Sequence, residues 1–222
     1  MRIAVVIPTL DEADEIAGAI QSASGPDIEI WVVDGGSRDG TGDVARSLGV
    51  HVISSAPGRA VQLQAGFERT CAEAVVFLHA DTRLPPGYDR EIAAALSDSD
   101  TVGGAFRFGF DRVDGLGLRI VEAGARLRSL LGWPYGDQAL FSRRSVLASL
   151  GGVPQVSLME DLDLVRLLRR RGRFVGLDRT VQTSARRYRD RGVARTVLRN
   201  AVAVTGWCFG ADRERIQSWV AR

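Results

Sequence analysis

Two apolar strands that each run into acids constrain this chain more than any other feature of it. Ile3-Ala4-Val5-Val6-Ile7 passes through Pro8-Thr9-Leu10 into Asp11-Glu12, and Ile28–Val33 ends at Asp34, followed by Gly35-Gly36-Ser37-Arg38-Asp39-Gly40-Thr41. Neither strand alternates polar and apolar residues, so both belong inside a parallel sheet covered on its two faces. Parallel strands align their C-terminal ends along one edge, where ligands of α/β sheets bind. Carboxylates there can accept from the imide of a nucleobase or from ribose hydroxyls. The same residues also have plainer uses: Thr9 or Asp11 can cap the helix that follows, and Asp39 can cap the helix at Thr41. Capping leaves Asp34 unexplained, because it precedes a Gly-Gly turn.

The first half continues in this manner. Glu12–Ser22 carries apolar residues at helical spacing (Ile16, Ala19, Ile20, then Ala23), while Thr41–Leu48 and Val61–Thr70 read as helices. Val50–Ile53 and Ala74–Leu78 read as strands, and Pro85-Pro86 opens a helix through Leu96. The series predicts an α/β fold with a mostly parallel central sheet flanked by helices. Further on, Val102–Phe110 alternates as a half-buried strand does. Leu116–Leu131 and Glu160–Arg171 read as helices, the latter stopped by Gly172.

No linker or repeat divides the 222 residues, so one domain over 1–185 with a basic amphipathic C-terminal extension over 186–222 is expected. A formal net charge of +2 argues against a nucleic-acid partner. All 29 basic residues are arginine, which suits phosphate ligands and also an arginine-rich genome. Cys71 and Cys208 fit no disulfide or metal spacing. Met1-Arg2 leads straight into a strand, and no apolar run nears the ~20 residues of a membrane span, so a cytoplasmic protein is expected.

Four further segments carry chemistry. Gly58-Arg59-Ala60-Val61-Gln62 puts a glycine turn and an arginine at a helix N-terminus, which favours an anion; a surface arginine is the plainer use. His79-Ala80-Asp81 ends a buried strand, where residues two apart point the same way. Trp133-Pro134-Tyr135-Gly136-Asp137-Gln138 offers aromatic faces and polar groups, or simply a loop pinned on the core. Met159-Glu160-Asp161 places acids in the first turn of a helix, as many helices do.

Together, and in this order, these motifs resemble the family 2 glycosyltransferases of the GT-A fold. The Asp34 to Thr41 stretch is similar to that family's acid–glycine–Ser-x-Asp-x-Thr signature, with Gly35 where a second acid often stands. A dinucleotide-binding fold would need G-x-G-x-x-G after the first strand, and the chain has Pro8-Thr9-Leu10. The resemblance implies a donor site from Pro8, Thr9, Asp11, Glu12, Asp34, Ser37, Asp39, Arg59 and Gln62. It implies an Mg2+ or Mn2+ ion on Asp81, where His79 replaces the first acid of Asp-x-Asp and serves as a core residue or a sugar or phosphate contact. It implies an acceptor side at Trp133, Tyr135, Gly136, Asp137 and Gln138, and a catalytic Glu160-Asp161 pair with Asp161 as base.

The expected activity is an inverting transfer from a nucleotide-diphosphate sugar, with uracil as base and guanine or thymine also allowed by the resemblance, to an acceptor hydroxyl or carboxyl. The acceptor expected is lipid, isoprenoid or carotenoid-like, or a soluble small molecule. The segment from Arg186 on, with Val193, Val197, Leu198, Val202, Trp207 and Phe209 among arginines, suits an anionic membrane surface or packing on the sheet. The rival readings are a nucleotidyltransferase and a non-catalytic nucleotide-sugar-binding protein.

Overall fold

The computed structural model describes residues 1–130 and 134–221. Its first half is the expected βα series: β1 (Ile3–Thr9), α1 (Ala13–Ala23), β2 (Ile28–Asp34), α2 (Thr41–Ser47), β3 (His51–Ser54), α3 (Arg59–Arg69) and β4 (Ala74–Phe77). Then come β5 (Thr82–Arg83), α4 (Tyr88–Ala95), β6 (Thr101–Phe110), α5 (Leu116–Leu130), β7 (Phe141–Arg143), α6 (Arg144–Ser149), α7 (Glu160–Arg169) and β8 (Arg173–Thr183). Helices α8 (Arg186–Arg191), α9 (Val193–Cys208) and α10 (Arg213–Ala221) follow.

The eight strands form one sheet in the order β3-β2-β1-β4-β7-β6-β8-β5. The pairs β2–β3, β1–β2 and β1–β4 are parallel, as is β6–β8. β7 is antiparallel to both its neighbours, and β5 is antiparallel to β8. The reading of a mostly parallel sheet therefore describes the β3-to-β4 half, while the β7-to-β5 half is mixed.

Successive side chains of a strand point to opposite faces, and the core divides accordingly. Ile3, Val5 and Ile7 pack with Ile16, Ile20, Val76, Leu78, Ile92 and Phe141 on one face. Val6 and Val33 pack with Leu63, Phe67, Phe77, Leu147, Leu164 and Leu168 on the other. Each such fully buried side chain contributes about 1.5–3 kcal/mol, which holds the strand ends at fixed positions.

A third cluster joins Phe108, Phe110, Leu118 and Ala125 to Ala185, with Val121, Tyr188 and Val193 packed against it. It docks α5, α8 and α9 beside the C-terminal end of β6. Trp207 Nε1 donates to Asp163 Oδ1 at 2.9 Å and Arg213 Nη2 to Asp163 Oδ2 at 2.7 Å, tying α9 and α10 to α7. Among the described residues no helix is long and apolar enough to cross a membrane.

Candidate active site

Thr9 and Asp34 end β1 and β2 in register with each other, and the loops beyond them are stitched together. Three successive N–H groups at the start of α1 each find a side chain of the β2–α2 loop. Asp11 N–H donates to Ser37 Oγ at 3.0 Å, Glu12 N–H to Thr41 Oγ1 at 2.9 Å, and Ala13 N–H to Asp39 Oδ2 at 2.9 Å. A helix start leaves its first N–H groups unpaired, and every second residue of this loop supplies an acceptor for one. Arg38 N–H donates back to Asp11 Oδ1 at 2.8 Å. Asp34 Oδ1 accepts from the N–H of Ser37 at 3.0 Å and from its hydroxyl at 2.5 Å.

This corrects part of the sequence reading. The side chains of Ser37 and Asp39 are spent holding the two loops together, so they shape the pocket instead of facing a ligand. The Thr41 hydroxyl, then the Ala13 N–H, hold the Asp39 carboxyl below the usual carboxylate range. Neither Thr9 nor Asp11 caps α1, whose N-cap residue, Glu12, gives no capping bond of its own and whose start is held by the β2–α2 loop; Asp11 instead adopts φ 55° to present its carboxylate to Arg38.

Gln62 is also corrected. It is buried, and its Nε2 donates at 2.8 Å to both Thr9 O and Val33 O, bracing the two strand ends. Gly35 makes this possible: a Cβ there would lie 3.2 Å from the Gln62 amide and 3.3 Å from Pro57 Cα. The departure from the acid-acid pattern thus has a steric reason.

A cleft of about 330 Å³ opens beside this edge, within the usual size of small-ligand pockets. Arg59, His79, Asp81, Asp137, Glu160 and Asp161 line it, with Pro8, Asp11, Glu12 and Asp34 placed along the adjoining β1 and β2 ends. The His79–Asp81 turn is closed by Thr82 N–H on His79 O at 3.1 Å and tied to the end of β8 by Ser184 N–H on Asp81 O at 2.9 Å. Gly136 sits between His79 and Asp161: a Cβ there would lie 3.0 Å from His79 Nε2 and 3.3 Å from Asp161 Oδ2. Its N–H donates to Asp161 Oδ2 at 2.7 Å, and Leu162 N–H donates to Asp161 Oδ1 at 2.8 Å. Each carboxylate oxygen has two lone pairs, so Asp161 keeps capacity to accept a proton. Met159, at φ 63°, and Ala139, at φ 47°, turn the chain on either side of this contact; such left-handed residues gather where a site imposes geometry.

Charges in the cleft influence one another. Burial raises the Glu160 carboxyl, with the charge of Asp161 adding to it and Arg59 opposing. Arg59 Nη1 lies 3.2 Å from Glu160 Oε1. Burial works against the Arg59 charge, but Glu160, Asp161, Asp137 and Asp81 outweigh it and hold the guanidinium protonated. Burial likewise raises the Asp137 carboxyl. Burial, then the positive charges of Arg59 and Arg187, hold His79 well below the usual imidazole range, so it is neutral near pH 7.

The acceptor-side assignments divide. Gln138 is buried and internally satisfied: its Nε2 donates to Phe106 O at 2.7 Å and its Oε1 accepts from Tyr135 N–H at 3.2 Å. It is a structural residue, which corrects its assignment as a hydroxyl contact. The Arg128 guanidinium covers one face of Tyr135, 3.3 Å from the ring centroid. Trp133 lies outside the described residues. Three cleft arginines, Arg187, Arg191 and Arg199, come from α8 and α9; the sequence reading offered the Arg186-Arg187-Tyr188 segment for the diphosphate but placed Arg191 and Arg199 on a membrane-facing or solvated surface. Their spacing, four apart on α8, is the signal that put Arg187 and Arg191 on one helical face.

Among the described residues no three His, Cys, Asp or Glu side chains converge as a metal cage. A lone Asp81 carboxylate nevertheless fits Mg2+ or Mn2+, since such ions commonly take one or two carboxylates and complete their shell with substrate phosphates and water.

The comparisons with known proteins agree with this geometry. The chain is similar to glucosyl-3-phosphoglycerate synthase of Mycobacterium tuberculosis, whose structure was solved with Mn2+, UDP and glucosyl-3-phosphoglycerate; identity is 22%, TM-score 0.65, covering 91% of this chain and 79% of that one. It is similar to S. aureus TarS 1-349 at 15% identity and TM-score 0.66, covering 91% of this chain and 64% of that one. These similarities identify the GT-A fold. An uncharacterized glycosyltransferase of Nostoc sp. is 32% identical over 113 residues, 46% of this chain and 35% of the relative, so the match spans about a third of that relative's length. Residues 4–146, more than half of the chain, match the family described as Glycosyl transferase family 2. With its folded strand-end acids and its cleft at the family's motifs, the chain belongs to glycosyl transferase family 2.

Proposed function

We propose that the protein transfers a sugar from a UDP-sugar to an acceptor hydroxyl in a single displacement that inverts the anomeric carbon. The observation that carries this is the position of Asp161, held by the Gly136 N–H in one cleft with Asp81 and beside the β1 and β2 ends. Asp11 and Asp34 hold the nucleoside at those ends. Asp161 takes the acceptor proton while the acceptor oxygen bonds to the anomeric carbon. The carbon–oxygen bond to the diphosphate breaks, and its electron pair leaves with the diphosphate. Arg59 and Arg187 offset the charge that grows there, while neutral His79 adds no competing charge. Asp81 would hold a divalent cation, which would supply further charge stabilisation when bound. The neighbours solved with UDP and with Mn2+ or Mg2+ support the donor and cation.

A peripheral contact with anionic lipid belongs to the same reading. Leu116, Ile120 and Leu127 are exposed and fall within an arc of about 40° on α5. Leu198 and Phe209 are exposed on and after α9, with arginines interspersed on both helices.

The test is calorimetric titration of UDP, GDP and dTDP, with and without Mn2+, against the wild type and Asp81→Ala. Tight binding of UDP that needs Mn2+ and is lost in Asp81→Ala is the expected result. Binding indifferent to Mn2+ removes Asp81 from its role, and no binding of any nucleotide overturns the reading.

A further inference from the structure

The arginines of α8 fall into two groups. Arg186 pairs with Glu12 at 2.5 Å, and Arg189 with Asp114 at 3.8 Å. Arg187 and Arg191, on another face of the helix, line the cleft, as does Arg199 of α9. No ion pair holds these three among the described residues. The cleft also holds Asp81, Asp137, Glu160 and Asp161, but none of them pairs with these three guanidiniums, whose donors can therefore take an anion.

They do not all serve the same anion. Arg187 follows Arg186, which pairs with Glu12 just past β1, and it lines the cleft together with His79 and Asp81. Arg191 is four residues further along α8, about 6 Å along the axis. Arg199 comes from α9, on the face that also brings Thr196, Asn200 and Ala203 to the cleft. Arg191, a helical turn beyond the Arg186–Glu12 pair, and Arg199 thus enter the cleft from α8 and α9. Phe108, Phe110 and Val220 line the same cleft and suit a carbon body beside a charged group.

We propose that Arg191 and Arg199 bind a phosphate monoester carried by the acceptor, placing its hydroxyl at Asp161. This rests on the glycosyltransferase reading above and adds the acceptor's chemical class. Guanidinium forks match the oxygens of a phosphate in paired hydrogen bonds. The phosphate belongs either to a small soluble molecule or to a lipid headgroup.

The experiment loads the full chain with UDP and Mn2+, then titrates glycerol 3-phosphate, with glycerol as control and phosphatidic acid vesicles as a separate arm. Wild type binds a phosphate probe and not glycerol; Arg191→Gln and Arg199→Gln each weaken that binding about tenfold or more, and Arg191→Lys falls between. UDP affinity stays within about twofold in all variants, which also shows that they fold. Binding of glycerol 3-phosphate names a soluble source, and binding of the vesicles alone names a lipid. The proposal is overturned if wild type binds neither probe, if the variants bind them as wild type does, or if UDP affinity falls in parallel. Failure of wild type to bind UDP would instead count against the donor reading, and glycerol 3-phosphate titrated onto the unloaded protein would still decide the role of the two arginines.

Discussion

Replacing Gln62 with methionine removes the brace between β1 and β2 while nearly preserving side-chain volume. Gln62 donates two 2.8 Å hydrogen bonds to carbonyls of different strands, in a buried setting. Each such bond contributes about 1 kcal/mol net, so about 2 kcal/mol is lost. Thr9 O keeps the Gly35 N–H at 2.9 Å, which limits the cost of stranding that carbonyl. Methionine is flexible and fills the space, so little cavity cost is added. For a chain of this size each kcal/mol lowers Tm by about 2–4 °C, giving a drop of about 4–8 °C. Urea titration measures the same loss at equilibrium, and calorimetry reports weaker UDP binding, because the ends that carry Asp11 and Asp34 are no longer tied. A Tm that falls by less than about 2 °C with UDP affinity unchanged would refute the idea that Gln62 couples the two strands.

Three other outcomes are expected. Asp161→Asn keeps an oxygen for the Gly136 N–H, so UDP affinity is retained while the rate of UDP release from UDP-glucose falls by about 10²–10⁴; full activity would remove Asp161 as base. His79 has a folded pKa below its unfolded value, so its contribution to stability is present above about pH 6.5 and is lost as pH falls below that. Tm measured from pH 7.5 to 5 therefore declines more steeply in wild type than in His79→Gln, and equal slopes would argue against a buried neutral imidazole. A methyl group at Gly66 would come within 2.3 Å of Val6 Cγ1 and 3.1 Å of Val33 Cγ2. Gly66→Ala accordingly destabilises the protein by about 1–3 kcal/mol, measured by urea unfolding.

What was legible in the sequence follows from what is local. Strands β1, β2 and β4 are uninterrupted runs of buried apolar residues, and such runs announce themselves. β8 escaped notice because Arg173, Asp178, Arg179, Thr180 and Gln182 are exposed along it, and its pairing with β6 is broken by irregular register. β7 is only three residues long and gains its identity from partners on both sides.

The order of acids marked the site, but the use of each polar side chain was hidden. Gln62 and Gln138 look like ligand contacts beside motifs, yet each is consumed by a backbone carbonyl 53 or 32 residues away. The same holds for Ser37 and Asp39, whose acceptors serve a helix that precedes them by more than twenty residues. Arg187, Arg191 and Arg199 were visible as basic residues on amphipathic helices. Which face turns inward depends on contacts such as the edge-on packing of Phe110 against Tyr188, with centroids 5.1 Å apart, and no local pattern encodes that.

The pair between Glu12 and Arg186 joins residues 174 apart in the chain. During synthesis the parallel half, with its short-range βα contacts, can condense while the ribosome is still making the rest. The cleft has a different history. One wall needs the strand ends of the first eighty residues, and the other needs helices that emerge only after β8 has inserted between β6 and β5. Contacts of such separation form late and slowly. A nascent chain is therefore expected to order its strand-end acids well before it closes the cleft.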